Sequence, residues 1–226
     1  MIAASAIFIV LIGISMTLYP GGNLIDRTSI HFNFFLNFFS DLGSSQTESG
    51  KQNTSSQVFF IIAMGMFGLV MIYYSRIWRA MDLEVHDYFL AGILSKILFA
   101  ASGLCFIGMA FTPWNVKFDN HVLLYKISIM CFLGWLLIIV FLQRRNEKLR
   151  NVFVINSLIA VAFAFYVYFI FFDQAFGKAP NIEFHAITQK VIMLLIPAEL
   201  LFQSIGIMHF LRRADFRRSS RKDFYV

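Results

Sequence analysis

The chain has 226 residues, 58% of them hydrophobic, and a formal net charge of +6. Only 14% of the residues are charged and Phe alone fills 28 positions, which excludes an ordinary soluble domain. The Lys and Arg residues cluster at the ends of apolar segments, a pattern of membrane proteins rather than of nucleic-acid-binding surfaces.

Six apolar segments fill most of the sequence: Ile2–Tyr19, Val58–Trp78, Tyr88–Phe111, His121–Leu142, Val152–Phe172 and Ala186–Leu211. Each matches the ~18–25 residues that a helix needs to cross a ~30 Å hydrocarbon layer. The fold class this predicts is all-α. It is a polytopic membrane protein with a six-transmembrane-helix bundle over residues 1–226, and residues 212–226 form a basic cytoplasmic tail. The first segment lacks a basic start and a small-x-small exit before Tyr19-Pro20-Gly21-Gly22, so it reads as a retained helix rather than a signal peptide.

The first connection is the longest and the least loop-like. From Ser29 to Gly43 it places Asn33, Asn37, Ser40 and Asp41 on one helical stripe, with Phe34, Phe35, Phe38 and Leu42 on the other faces. This predicts a short interfacial helix ended by Gly43. Residues 44–56 form a polar tether, and Asn53-Thr54-Ser55 is a formal glycosylation acceptor.

The third segment carries Lys96 and Cys105, and the fourth carries Cys131. Both cysteines read as small packing residues. Pro113 ends the third segment. Asp119 or Asn120 can cap the fourth, with His121 in its first turn and Tyr125 one turn on. The last segment opens at His185, with Gln189 one turn below, and holds Glu199 two residues after Pro197, followed by Gln203 and Ser204. A charge at such a depth belongs in the bundle interior, so Glu199 and Lys96 are candidate intramembrane charges and candidate partners. Lys126 and Lys190 lie near the outer ends of their segments, within reach of headgroups.

Alternate connections differ in charge. Arg76 and Arg79, then Arg144, Arg145, Lys148 and Arg150, then six basic residues from Arg212 to Lys222 mark one side; the other three connections hold only Arg27, Lys51, Lys117 and Lys178. The positive-inside rule puts both termini in the cytoplasm and the first connection outside, in a plasma or inner membrane. The basic tail then serves as a topology anchor beside anionic lipid, with no nucleic-acid partner called for. The outer side gathers Ser40, Asp41, His121, His185 and Gln189. Asp41, His121 and His185 come from three separate connections, and such donors suit zinc. In the alternative without metal, Asp41 caps a backbone turn and accepts a hydrogen bond from His121.

Phe39-Ser40-Asp41-Leu42-Gly43, the Phe59-Phe60 pair, Thr112-Pro113 and His121 together resemble the uncharacterised membrane family catalogued as domain of unknown function 998. The likeness spans nearly the whole chain in length, helix number and the Ser-Asp-Leu-Gly motif. The Ser/Thr/Gln-rich stretch after Gly43 departs from the compact loop expected of that family. The resemblance implies a six-helix membrane fold with Ser40, Asp41, Gly43, Pro113 and His121 in the signature, and it brings no established activity. A more distant similarity is to the alkaline ceramidase and adiponectin-receptor membrane hydrolases, which hold zinc with His and Asp ligands among seven helices. This chain has six segments and lacks their paired histidines in the final span.

Three functions are compatible with this pattern. The chain is an integral membrane protein whose outer cap binds membrane lipids or a partner protein, a metal-dependent hydrolase acting on lipid at the outer face, or a small-solute or proton-coupled transporter using Glu199. Residues 1–111 and 112–226 show no internal similarity of the kind inverted-repeat transporters carry.

Overall fold

The computed structural model describes residues 1–76, 89–144, 150–172 and 181–222. Six helices follow in order: α1 (Ile2–Thr17), α2 (Thr54–Tyr74), α3 (Phe89–Ala110), α4 (Phe118–Arg144), α5 (Arg150–Phe172) and α6 (Ile182–Lys222). Among the described residues there is no strand, only an isolated bridge between Gln46 and Gln52 that closes the polar tether into a turn.

Helices α2 to α6 are long and apolar enough to cross a membrane. The first segment is shorter than the sequence suggests. Helix α1 has 16 residues, a rise of about 24 Å against a hydrocarbon layer of ~30 Å. After Leu18 the chain turns away through Pro20, and Gly21 and Gly22 hold φ of +100° and +89°, conformations that a side chain would strain. The last helix is longer than expected: the basic stretch read as a tail continues in helical form to Lys222. Trp78, Arg79, His86, Tyr88, Arg145, Lys148 and Lys178 lie outside the described residues.

Each helix packs on its neighbours in sequence, and α6 returns to α1, so the bundle closes on itself. Aromatic rings fill the interior: Phe8 lies 4.6 Å from Phe67, Phe99 4.3 Å from Trp135, and Phe132 4.9 Å from Phe163. Large apolar side chains such as Val10, Leu69, Leu104, Leu158 and Val161 cover the outside. With apolar surface on both sides, helix association depends on close contact and interhelical hydrogen bonds. Gly68 and Gly103 provide the closest crossing. A Cβ on Gly68 would stand 2.5 Å from the Gly103 carbonyl oxygen, and one on Gly103 would stand 2.7 Å from that of Gly68. Ser15 meets Ser56 at 2.9 Å between α1 and α2, and Ser102 meets Ser128 at 3.2 Å between α3 and α4.

Residues 18–53 fold over one end of the bundle as a cap. The expected interfacial α-helix is not formed. A single 3-10 turn, Phe39–Gly43, follows one short turn at residues 34–36.

Candidate functional site

Side chains that bond their own backbone build the cap. Asn33 Oδ1 accepts the N–H groups of Phe35 and Leu36 at 2.9 and 3.3 Å, and Asn37 Oδ1 accepts that of Asn33 at 2.9 Å. These bonds compete with helix, which is why the four-residue spacing of polar side chains gives turns instead. Asp41 Oδ2 accepts the Phe38 N–H and the Asn37 amide, each at 2.9 Å. Asp41 is 4% exposed. Burial pushes its carboxyl up to about 6, against the two hydrogen bonds and the more distant Lys190 charge that oppose the rise.

Asn53 locks the turn from the other side. Its Nδ2 donates to the carbonyls of Asp41, Leu42 and Ser44 at 3.2, 3.1 and 2.9 Å. Asn53 is buried and its amide is engaged, so the formal glycosylation acceptor is closed off in the folded protein. Leu42 is fully buried, and a Cβ on Gly43 would fall 2.5 Å from the Phe60 ring. The Asp-Leu-Gly part of the motif is thus the part that seats the turn on α2.

Two neighbours on α6 fasten the cap to the bundle. Gln189 Oε1 accepts the Phe39 N–H at 2.8 Å, and Gln189 lies close to Tyr125, whose hydroxyl meets that of Tyr166. One chain of contacts thereby joins the cap to α6, α4 and α5. Lys190 does not reach outward as its position suggested. It is 0% exposed, donates to the carbonyls of Asn37 and Ala186, and lies 5.2 and 5.8 Å from the rings of Phe34 and Phe32. Its ammonium is satisfied by carbonyl oxygens and aromatic faces beneath the cap. Lys126 lies over the Phe171 ring at 5.3 Å. Asn115 ties the next connection to the cap, receiving the Ser45 N–H at 3.1 Å and donating to the Ser45 hydroxyl at 2.9 Å.

The candidate zinc ligands do not come together. Among the described residues no three His, Cys, Asp or Glu side chains gather to hold a metal ion. His121 is buried, and its Nδ1 donates to the Thr112 carbonyl at 2.7 Å. A carbonyl only accepts, so this nitrogen carries the hydrogen. His121 therefore joins the end of α3 to the start of α4 and makes no bond to Asp41. His185 is half-buried early in α6 with its ring against Phe184. Ser40 is half-buried on the cap turn. Asn181 Oδ1 accepts the Phe184 N–H at 3.1 Å and caps α6. Cys105 and Cys131 are free thiols.

A second polar group lies at the far end of the bundle. Glu199 is 0% exposed. Gln203 Nε2 donates to its Oε1 at 2.8 Å. Asn156, with its amide nitrogen turned to the carboxylate, lies 3.1 Å from both Glu199 oxygens. Gln143 donates to Gln203 at 3.1 Å and lies 2.6 Å from Asn156. The expected partner is absent: among the described residues the one ion pair joins Arg27 to Glu48, and Lys96 is half-buried on α3 without a bond to Glu199. Glu199 also lies deeper toward the far end than the middle of its span, level with Gln143, the next-to-last residue of α4. Gln143 and Asn156 were not singled out from the sequence. Asn156 is a lone amide inside the apolar segment Val152–Phe172, which was an available signal, whereas Gln143 falls just past the end of the fourth segment beside Arg144 and carried none.

No protein-family model, curated protein or solved structure matches this chain. By its own geometry the Ser-Asp-Leu-Gly motif is the turn that closes the cap.

Proposed function

We propose that the chain is an integral membrane protein whose cap faces outward and binds lipid at the membrane boundary. The observation that carries this is the division of the cap between polar interior and apolar rim. Asp41, Asn37, Asn53 and Lys190 spend their bonds on one another and on backbone, while Ile25, Ile30, Phe34, Phe35, Val116 and Phe118 turn outward at the same end of the bundle. An exposed apolar rim around a rigid polar lid suits the headgroup and acyl boundary. The Lys/Arg asymmetry supports the outward orientation and cytoplasmic termini. Membership in the family with the Ser-Asp-Leu-Gly signature is part of the same proposal. Nothing in the described geometry favours the metal-dependent hydrolase.

A fluorophore on Phe35→Cys, with Cys105 and Cys131 replaced by Ala, tests lipid contact in reconstituted vesicles. Quenching by lipids brominated near the headgroup, and not by aqueous iodide, is expected; the reverse pattern overturns the proposal. Labelling of intact cells by an impermeant thiol reagent should reach Gln46→Cys and spare Ser219→Cys.

A further inference from the structure

We infer that Glu199, with Gln143, Asn156 and Gln203, forms a proton-binding site inside the membrane, reached from the end opposite the cap. The inference is independent of lipid binding by the cap. An isolated carboxylate in a low-dielectric interior is unstable unless a positive charge or strong hydrogen bonds compensate it. Among the described residues the compensation comes from carboxamides. Three helices supply them, α4 through Gln143, α5 through Asn156 and α6 through Gln203, all of them buried. Among the described side chains, the cations on neighbouring helices, Lys96 of α3 and Lys126 and Arg144 of α4, lie beyond ion-pair distance. Helix α1 carries no titratable side chain, and the titratable side chains described on α5 are the tyrosines Tyr166 and Tyr168. Among the described residues, Tyr74 of α2, buried near Ser204, is a titratable neighbour of Glu199.

The donor pattern selects a proton over a metal ion or an ammonium. Gln203 and Asn156 direct N–H groups at the carboxylate oxygens. A metal ion would need those oxygens and several carbonyl oxygens turned to a common point, whereas a proton adds to one oxygen of the packed site. The step is simple: hydronium at the far end gives its proton to a Glu199 oxygen and leaves as water, with no other bond made or broken. Access from the cap is the longer route: Gln189 and Glu199, ten residues apart on α6, are separated by about 15 Å, and the buried apolar side chains of Met193 and Ile196 lie on α6 between them. At the other end, Gln143 lies one residue from the end of α4. Glutamine and asparagine can follow the change, since each carboxamide rotates between donating to a carboxylate and accepting from a carboxyl.

Difference infrared spectroscopy of the full chain in lipid nanodiscs, labelled with carbon-13 at the glutamate carboxyls so that Asp41 is silent, tests the inference. As the medium is acidified, a buried protonated-carboxyl band should appear in the wild type and be missing in Glu199→Gln. Gln203→Leu removes an N–H that favours the ionised form, so protonation should tighten about tenfold, a shift of about one pH unit. A wild type with no such band overturns the inference, as does a band that persists in Glu199→Gln. Should Glu199→Gln fail to fold, Gln203→Leu decides: an unmoved midpoint overturns it. Repeating the titration with sodium or ammonium in place of a bulky organic cation should leave the band unchanged. Its loss would assign the site to that cation instead and overturn the proton.

Discussion

Asp41 makes the cap a pH-dependent element, and its sign can be worked out. The carboxyl is 4% exposed, and burial raises it from the ordinary 3.8 to about 6. The folded protein therefore holds a proton that the unfolded chain releases, so stability falls as pH rises from about 4 through about 6. A difference of about two pH units is worth about 3 kcal/mol. Asp41→Asn keeps an oxygen that can accept the Phe38 and Asn37 N–H groups and carries no charge. It should match the wild type near about pH 4 and exceed its stability by about 3 kcal/mol above about pH 7, with a nearly flat dependence between. Reversible unfolding in mixed micelles at a series of pH values measures both curves. A wild type whose stability holds or rises through that window would refute the reasoning. So would an Asp41→Asn protein that is the weaker of the two near neutrality. Either result would mean that Lys190 and the two hydrogen bonds outweigh burial and keep Asp41 ionised.

Two further substitutions test the packing. Asn53→Ala removes the donor shared by three buried carbonyls, and among the described residues the Ser44 carbonyl has no other donor. A loss of about 2 kcal/mol is expected, together with faster proteolysis of the cap at concentrations where α2 stays intact. Gly68→Ala places a methyl 2.5 Å from the Gly103 carbonyl oxygen, so α2 and α3 must separate, at a cost of about 1–3 kcal/mol. Gly65→Ala, which meets nothing within 4 Å, should leave the unfolding midpoint in place.

Hydropathy made the long helices legible, because a run of apolar residues has few alternatives to a span, and Glu199 was legible because a lone carboxylate in such a run has nowhere else to go. Ring closure, with α6 returning to α1, left no local trace. The cap turn was half-legible. The Asn37 to Asp41 contact follows from their spacing, but the same spacing suggested an α-helix, and only the side chain–backbone bonds of Asn33 and Asn37 decide for turns. Lys190 was misplaced because a lysine near a helix end reads as snorkelling whether headgroups or a folded cap lie above it. The zinc site failed for a related reason. Sequence placed Asp41, His121 and His185 at one end of the bundle, and local bonds to Phe38 and Thr112 then fixed the first two apart in purpose.

Hydrogen exchange of residues 37–44 in nanodiscs tests most directly whether the cap is a rigid lid fastened to α6. The Asn37, Phe38, Phe39, Asp41 and Ser44 amides are all hydrogen-bonded, two of them to the Asp41 and Gln189 side chains. Peptides from this stretch should exchange as slowly as those of α2, and Gln189→Leu or Lys190→Met should speed them while α2 is unchanged. Exchange in the wild type as fast as at the exposed Gly50–Lys51 turn would contradict the docked cap and the lipid-facing rim built on it.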